Sequence, residues 1–339
     1  MEKQQYVKLL EQVQLEDGFA IHSSLALTIS MLELAMIAGC LFLLTIVEPF
    51  GWQFWLIEIF LGLSMFRCFV LLHECGHGTF FKSNNSNVIM GSLFGAIALV
   101  PFVSWRNVHR KHHKWVGVID KDPTSVAALD AQEYSSAMRM IVRVMWVLRL
   151  PVAAAIGIFS AFWMYPGRLL KETKVDRHKL LLSILSAVIT LLPWGALAVL
   201  IGLENFLIYA LPALFIFYFW FETINLCHHA GLYPFISHSH PNSIKTYEQE
   251  AYCRSAMLPR WLSIVCCYNF NLHTEHHIFP TVPWSYLNRL SELMDECGLE
   301  NYHKQSLPSL VRDIRRLDPF DDIIDKAPSR LKQSMTVDT

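Results

Sequence analysis

Residues 52–77 read WQFWLIEIFLGLSMFRCFVLLHECGH. An apolar run of roughly 20 residues, long enough to cross a bilayer, passes straight into His73-Glu74-Cys75-Gly76-His77. Histidines at i and i+4 share one face of a helix. The end of this run therefore presents two imidazoles at a spacing suited to chelating a metal ion.

The surrounding chain is built for lipid. Of its 339 residues, 53% are hydrophobic and 17% charged, with a mean hydropathy of +0.32; ordinary soluble domains are more polar. Four segments, 25–47, 52–72, 179–201 and 205–227, have the length and composition of membrane helices. The short loops 48–51 and 202–204 join them in pairs. The expected fold is an all-α membrane protein, two transmembrane helical hairpins with a cytosolic helical cap that holds a His-rich site. The expected divisions are a cytosolic N-terminal segment 1–24, a membrane domain 25–290 and a cytosolic C-terminal helix and tail 291–339. From Trp284 on, Leu287, Leu290 and Met294 keep helical spacing, and a polar tail around Pro328 is expected to fray.

Neither hairpin loop contains Lys or Arg, whereas nearly all 28 basic residues lie in the N-terminal tail, in 73–178 and in 228–339. Arg67 and Lys179 sit at the inner ends of their spans. The positive-inside rule then puts both termini and every histidine cluster in the cytosol. Segments 88–103 and 138–165 are apolar but broken by Gly, Pro or Arg. A single crossing by either would part the histidine clusters, so both are read as interfacial or re-entrant. The charged N-terminus offers no cleavable signal peptide. A net charge of −1 gives no reason to expect a nucleic-acid partner. Eight cysteines without CxxC spacing read as reduced thiols.

Two further clusters match the first: His109-Arg-Lys-His112-His113 and His273-Thr-Glu-His276-His277. Each puts its rings on one helical face. A fourth element ends the last span, where Glu222, Asn225 and His229 fall at i, i+3 and i+7. His229 is then a ninth candidate ligand beside His73, His77, His109, His112, His113, His273, His276 and His277. Asn225 is expected to hold a metal-bound water, and Glu222 to accept from an imidazole N–H. Nine imidazoles are too many for one metal and suit two. Iron suits neutral imidazole and O₂ chemistry, which the removal of hydrogen from an unactivated methylene requires. The electrons must come from outside, because no Rossmann fingerprint, CxxCH or iron–sulfur cysteine cluster is present.

HECGH (73–77), HRKHH (109–113) with the following DKDPT (120–124), and NLHTEHHIFP (271–280) together resemble the membrane fatty acid desaturase superfamily. The resemblance covers roughly residues 25–290. It implies that eight of these histidines are ligands of two non-haem irons. The Asn225…His229 spacing is similar to the family's additional histidine, which implies His229 rather than His228. It also implies an acyl-chain or lipid substrate, O₂ as co-substrate and an external donor of the ferredoxin or cytochrome b5 type. The three-residue gap in the first box is like that of acyl-lipid desaturases and alkane hydroxylases; acyl-CoA Δ9 enzymes use four. The third box starts with His, not the Gln of front-end enzymes. Fatty acid desaturation is the first expectation. Alkane or fatty-acid hydroxylation, decarboxylation to a terminal alkene, and carotenoid hydroxylation or ketolation are the alternatives within the superfamily.

Other residues admit two readings. Asp120 and Asp122 either orient box histidines or cap a turn, since Asp122-Pro123-Thr124 is strong turn chemistry. Glu74 and Glu275 either support imidazoles or face solvent. Glu33, Glu58 and Arg67 lie within spans and must find partners in the bundle; Glu58 and Arg67 stand roughly 13 Å apart along the helix and cannot pair. The aromatic stretch 215–221 either walls an acyl tunnel or packs helices. Literally, HECGH is also the HExxH of zinc proteases, with Glu74 as base, but that reading leaves seven clustered histidines unused.

Overall fold

The computed structural model describes residues 1–329. It is mostly helical. Helices α1 (Lys3–Leu15), α2 (Ser23–Leu44), α3 (Trp52–His77), α4 (Asn84–Ile97) and α5 (Phe102–Trp115) come first. They are followed by α6 (Val126–Gln132), α7 (Ser136–Val147), α8 (Val152–Ile158), α9 (Tyr165–Leu169), α10 (Arg177–Ile201) and α11 (Leu203–His229). The chain ends in α12 (Arg260–Cys267), α13 (His273–Ile278), α14 (Leu287–Glu296) and α15 (Leu307–Arg316). A small parallel pair joins β1 (Ser255–Met257) to β2 (Lys304–Ser306). The expected polar tail lies, from residue 330 on, outside the described residues.

Helices α2, α3, α10 and α11 are long and apolar enough to cross a membrane. They coincide with the four expected spans but differ at their ends. Helix α2 stops at Leu44, three residues early, in a turn at Thr45. Its neighbour α3 runs on through the first histidine pair to His77, where Gly78 at φ 77 ends it. That left-handed conformation suits Gly. The last span likewise continues through His228 and His229. Two bent pairs, α4 with α5 and α7 with the α8 region, turn by 103° and 115°. Each is a broken span or a re-entrant loop by shape, which gives four to six candidate spans among the described residues.

The central helix is α3. Its apolar window is 61% buried, against 11% for α10, whose side chains face outward. Gly62 explains the close packing of α3 on α11, since a Cβ there would fall 2.8 Å from the Ala213 carbonyl oxygen. Two of the three charged residues noted inside the spans pair with each other across helices. Arg67 of α3 pairs with Glu33 of α2, and Tyr268 hydroxyl bonds to both. Glu58 is fully buried, and neither carboxyl oxygen has a hydrogen-bond partner among the described residues. All eight cysteines are free thiols, as expected.

Candidate metal centre

Four separate stretches deliver the nine histidines to one place. The end of α3 brings His73 and His77; α5 brings His109, His112 and His113; the end of α11 brings His229; α13 brings His273, His276 and His277. The rings sort into two groups whose donor atoms all lie within 4.8 Å of one another. His73, His77, His109, His113 and His276 form one, and His112, His229, His273 and His277 form the other.

The Nε2 atoms point inward. In the first group His77 to His109, His109 to His113 and His113 to His276 are 2.9, 2.9 and 3.1 Å apart. In the second, His112 to His229, His229 to His273 and His273 to His277 are 3.2, 2.7 and 3.1 Å apart. Imidazole nitrogens crowded at about 3 Å have the spacing of the edges of a coordination cage, given metal–nitrogen bonds of about 2 Å. Burial, and then neighbouring imidazoles, hold His273, His276 and His277 well below the usual histidine range. They are neutral, the form a metal needs. The residues therefore fit two metal ions.

On the outer side, three rings of the second group meet acceptors. His112 Nδ1 lies 2.8 Å from Asp122, His229 Nδ1 3.0 Å from the Tyr252 carbonyl and His277 Nδ1 3.0 Å from Gln249 Oε1. Such contacts put the hydrogen on Nδ1 and leave Nε2 free as donor. Asp122 also accepts from Thr124 and Ser125, so its turn role and its imidazole contact are one arrangement. Gln249 and Tyr252 carried no sequence signal, because they sit on an irregular 3-10 turn far from any histidine cluster.

The first group is held differently. Trp105 stacks on His109 at 4.5 Å, and Phe270 meets His73 edge-on at 5.1 Å. Gly76 makes room: a Cβ there would stand 2.3 Å from the Trp105 ring. That glycine within HECGH was not anticipated, although its type is the only clue the sequence offers to so close an approach.

Several expectations are corrected. Glu222 touches no imidazole; it pairs with Arg315 and accepts the Ala154 N–H, because at two turns from His229 it has left the cage and faces α8 and α15. Asp120 likewise reaches no histidine and caps Ser237 through its N–H and hydroxyl. Glu275 neither supports an imidazole nor faces solvent; it is buried on the far side of α13, bonded to Ser255 and Tyr302. Glu74 takes up Thr79 and the Trp284 N–H and sits 3.4 Å from His73 Nδ1, so it is not poised over an attacking water as a protease base would be. His228 is fully buried, stacked on His273 at 3.8 Å, and outside both donor groups. His22, His178, His238 and His303 are exposed and His240 half-buried, as loop residues should be.

Beside the cage lies a cavity of about 410 Å³ lined mainly by apolar side chains. His73, His109, His112, His229 and His273 border it, as do Phe69, Trp105, Phe221 and Asn225. Of the aromatic stretch 215–221, only Phe221 reaches it among the aromatics; Phe217 is core, and Phe215 and Phe219 face outward. The size suits a small-molecule site.

A mostly helical chain with helices long and apolar enough to cross a membrane, which gathers nine histidines into two groups able to hold a metal beside an apolar cavity, defines a class of helical proteins with a histidine-rich candidate metal centre. Residues 50–307, which contain all nine histidines, match the fatty acid desaturase family model. The chain belongs to that family, whose members are oxidoreductases. It is 30% identical over 244 residues, 69% of its length, to the sn-1 oleoyl-lipid 12-desaturase of Synechocystis sp.. It is 28% identical over 256 residues, 72% of its length, to the enzyme of the same name from Anabaena variabilis. It is 27% identical over 262 residues, 71% of its length, to the temperature-sensitive sn-2 acyl-lipid omega-3 desaturase (ferredoxin), chloroplastic, of Arabidopsis thaliana. These matches span 65%, 67% and 57% of the respective relatives, so the chain covers about two thirds of them or less.

Proposed function

We propose that this chain is an O₂-dependent membrane di-iron desaturase of the acyl-lipid type, introducing a carbon–carbon double bond into a fatty acyl chain. The single observation that carries the reading is the meeting of histidines from four stretches in two adjacent donor groups beside an apolar cavity. The names of the relatives support the same substrate class.

His73, His77, His109, His113 and His276 would hold one iron, and His112, His229, His273 and His277 the other. When bound, the pair supplies the oxidising power, drawn from O₂ and external electrons, that an unactivated methylene demands. The chain does the rest. Asp122, Gln249 and the Tyr252 carbonyl fix ring orientation. Asn225, whose amide donates to the Phe221 carbonyl, borders the cavity four residues before His229 and is assigned a water-mediated contact. Phe69, Trp105 and Phe221 exclude water and align the acyl chain, since loss of a hydrogen at one carbon rather than its neighbour is a matter of placement. The donor is a separate protein of the ferredoxin or cytochrome b5 type.

The proposed topology is two transmembrane hairpins, α2–α3 and α10–α11, with both termini and the cage cytosolic. The bent pairs then lie re-entrant or along the interface. The distribution of basic residues supports this, as does α7, whose Met140, Ile141, Val144 and Val147 face outward. Expression in a host that lacks the product, followed by lipid profiling, tests the reaction. A new double bond and about two irons per chain are expected. An alcohol or a terminal alkene with unchanged fatty acids would replace desaturation by another reaction of the superfamily.

A further inference from the structure

Helix α7 has no buried residue. Its Val142, Met145 and Trp146 line the cavity, while Met140, Ile141, Val144 and Val147 face outward. A single helix thus stands between the cavity and the outside, and its two edges differ. Polar contacts seal the edge toward the C-terminal turn: Arg139 pairs with Asp325, Arg143 with Asp318 and Asp321, and Trp146 Nε1 donates to the Leu317 carbonyl. Among the described residues, no side-chain hydrogen bond or ion pair joins α7 to residues 151–160 on the other edge. There the chain turns by 115°. Arg149 at the corner has φ 55, a left-handed conformation through which a helix cannot continue, so α8 diverges from α7. Across the gap, Ala153 and Ile156 of α8 line the cavity and are exposed as well, Ile156 by 48%. A side chain that borders the cavity and the outside at once marks a mouth. Its neighbours in the chain, Val147, Leu148 and Phe159, are apolar and exposed too.

Resting on the acyl-chain reading above, we propose that the gap between α7 and α8 is a side entrance through which an acyl chain passes from the bilayer into the cavity, and that Ile156 sets its width. Each methylene that crosses water does so at a cost. An entrance with an apolar rim lets the tail slide from hydrocarbon to hydrocarbon and avoids that cost. The opposite edge of α7 offers no such passage, because its ion pairs would have to part. With the lipid headgroup left outside and the tail within, the chain itself occupies the mouth, so a bulkier side chain at position 156 competes with it directly.

The test needs no turnover. The full chain is reconstituted in vesicles of phosphatidylcholine doped with a phosphatidylcholine that carries a diazirine near the end of one acyl chain, a lipid that does not leave the bilayer. After photolysis, mass spectrometry compares adducts on cavity-lining peptides around Met145 and Phe221 with adducts on the outward face of α10, which serves as internal standard. Wild type is expected to show both. Ile156→Trp should lower the cavity-to-α10 ratio by about tenfold, the worth of overpacking a filled passage. Ile156→Ala should keep or raise it, and Leu27→Trp, a ring added on α2 outside the cavity, should leave it unchanged. An unchanged ratio in Ile156→Trp would overturn the proposal. If that variant fails to insert, seen as loss of the α10 adducts, Ile156→Phe decides the same question. Adducts on α10 without any in the wild-type cavity would instead remove the acyl cavity itself, and the entrance with it.

Discussion

The two halves of the histidine cage are secured by different means. In the four-histidine half, outer nitrogens of His112, His229 and His277 each meet an acceptor, supplied by Asp122, the Tyr252 carbonyl and Gln249. In the five-histidine half, Nδ1 of His73 and His113 makes no hydrogen bond among the described residues, the Glu74 carboxyl standing 3.4 Å from that of His73, and aromatic packing holds the rings. Hydrogen bonds fix a tautomer and a direction. Packing fixes a position through shape alone. The first half should therefore fail through electrostatics, and the second through volume.

Removal of a ligand is the largest perturbation and should strike both halves. His112→Ala and His276→Ala are each expected to abolish product, at least about 100-fold, and to lower bound iron. Retention of full iron and activity by either would dissolve the two-pocket assignment. A finer contrast uses adjacent residues. His229→Ala should lose metal from the four-histidine pocket, while His228→Phe, which keeps a ring against His273, should retain it. The opposite result in a metal titration would exchange the roles of the two.

The next effect is specific to one half. Asp122→Asn leaves His112 an acceptor but removes the charge, and should weaken metal binding in the four-histidine pocket by roughly tenfold. Loss of both metals together would mean that the halves are not independent.

Much of this was legible beforehand, and the reasons are physical. Long apolar helices and i, i+3, i+4 histidine spacing are local patterns, so the four spans and all nine histidines could be read from neighbours in the chain. Asp122 was legible because a turn motif lies just beyond the second cluster. Glu222 misled for the same reason: its position relative to His229 predicted a shared stripe, but direction seven residues away is set by tertiary neighbours, here Arg315 and Ala154. Gln249, Tyr252, Trp105 and Arg315 carry no local signature. Their contacts cross 28, 23, 4 and 93 residues respectively, and all but the Trp105–His109 stack arise only after folding. Helices α3 and α11 ran past the ends of their apolar windows, because a helix ends at a backbone signal such as Gly78 and not where hydrophobicity fades.

The packing-held half has its own test. Gly76→Ala puts a Cβ against Trp105, an overpacking that costs about 1–3 kcal/mol. The five-histidine pocket should lose affinity while the other keeps it, and the double variant Gly76→Ala with Trp105→Phe should restore it. An unchanged pocket in Gly76→Ala would show that His109 does not depend on the tryptophan.

The smallest effect lies outside both halves, where electrostatics act on a partly exposed pair. Arg143 of α7 holds Asp318, whose carboxyl is drawn down to about 2 by the guanidinium and by two backbone N–H groups. A depressed carboxylate contributes stability above its unfolded value and loses it as pH falls toward the folded one. The link between α7 and the C-terminal turn should thus hold at neutral pH and weaken only below about pH 4. The pair is partly exposed, so Asp318→Asn should cost no more than about 1 kcal/mol. Thermal melts at neutral pH and at raised salt measure it. A larger loss, insensitive to salt, would mean that this turn is locked by burial, as in the five-histidine half, and not by charge.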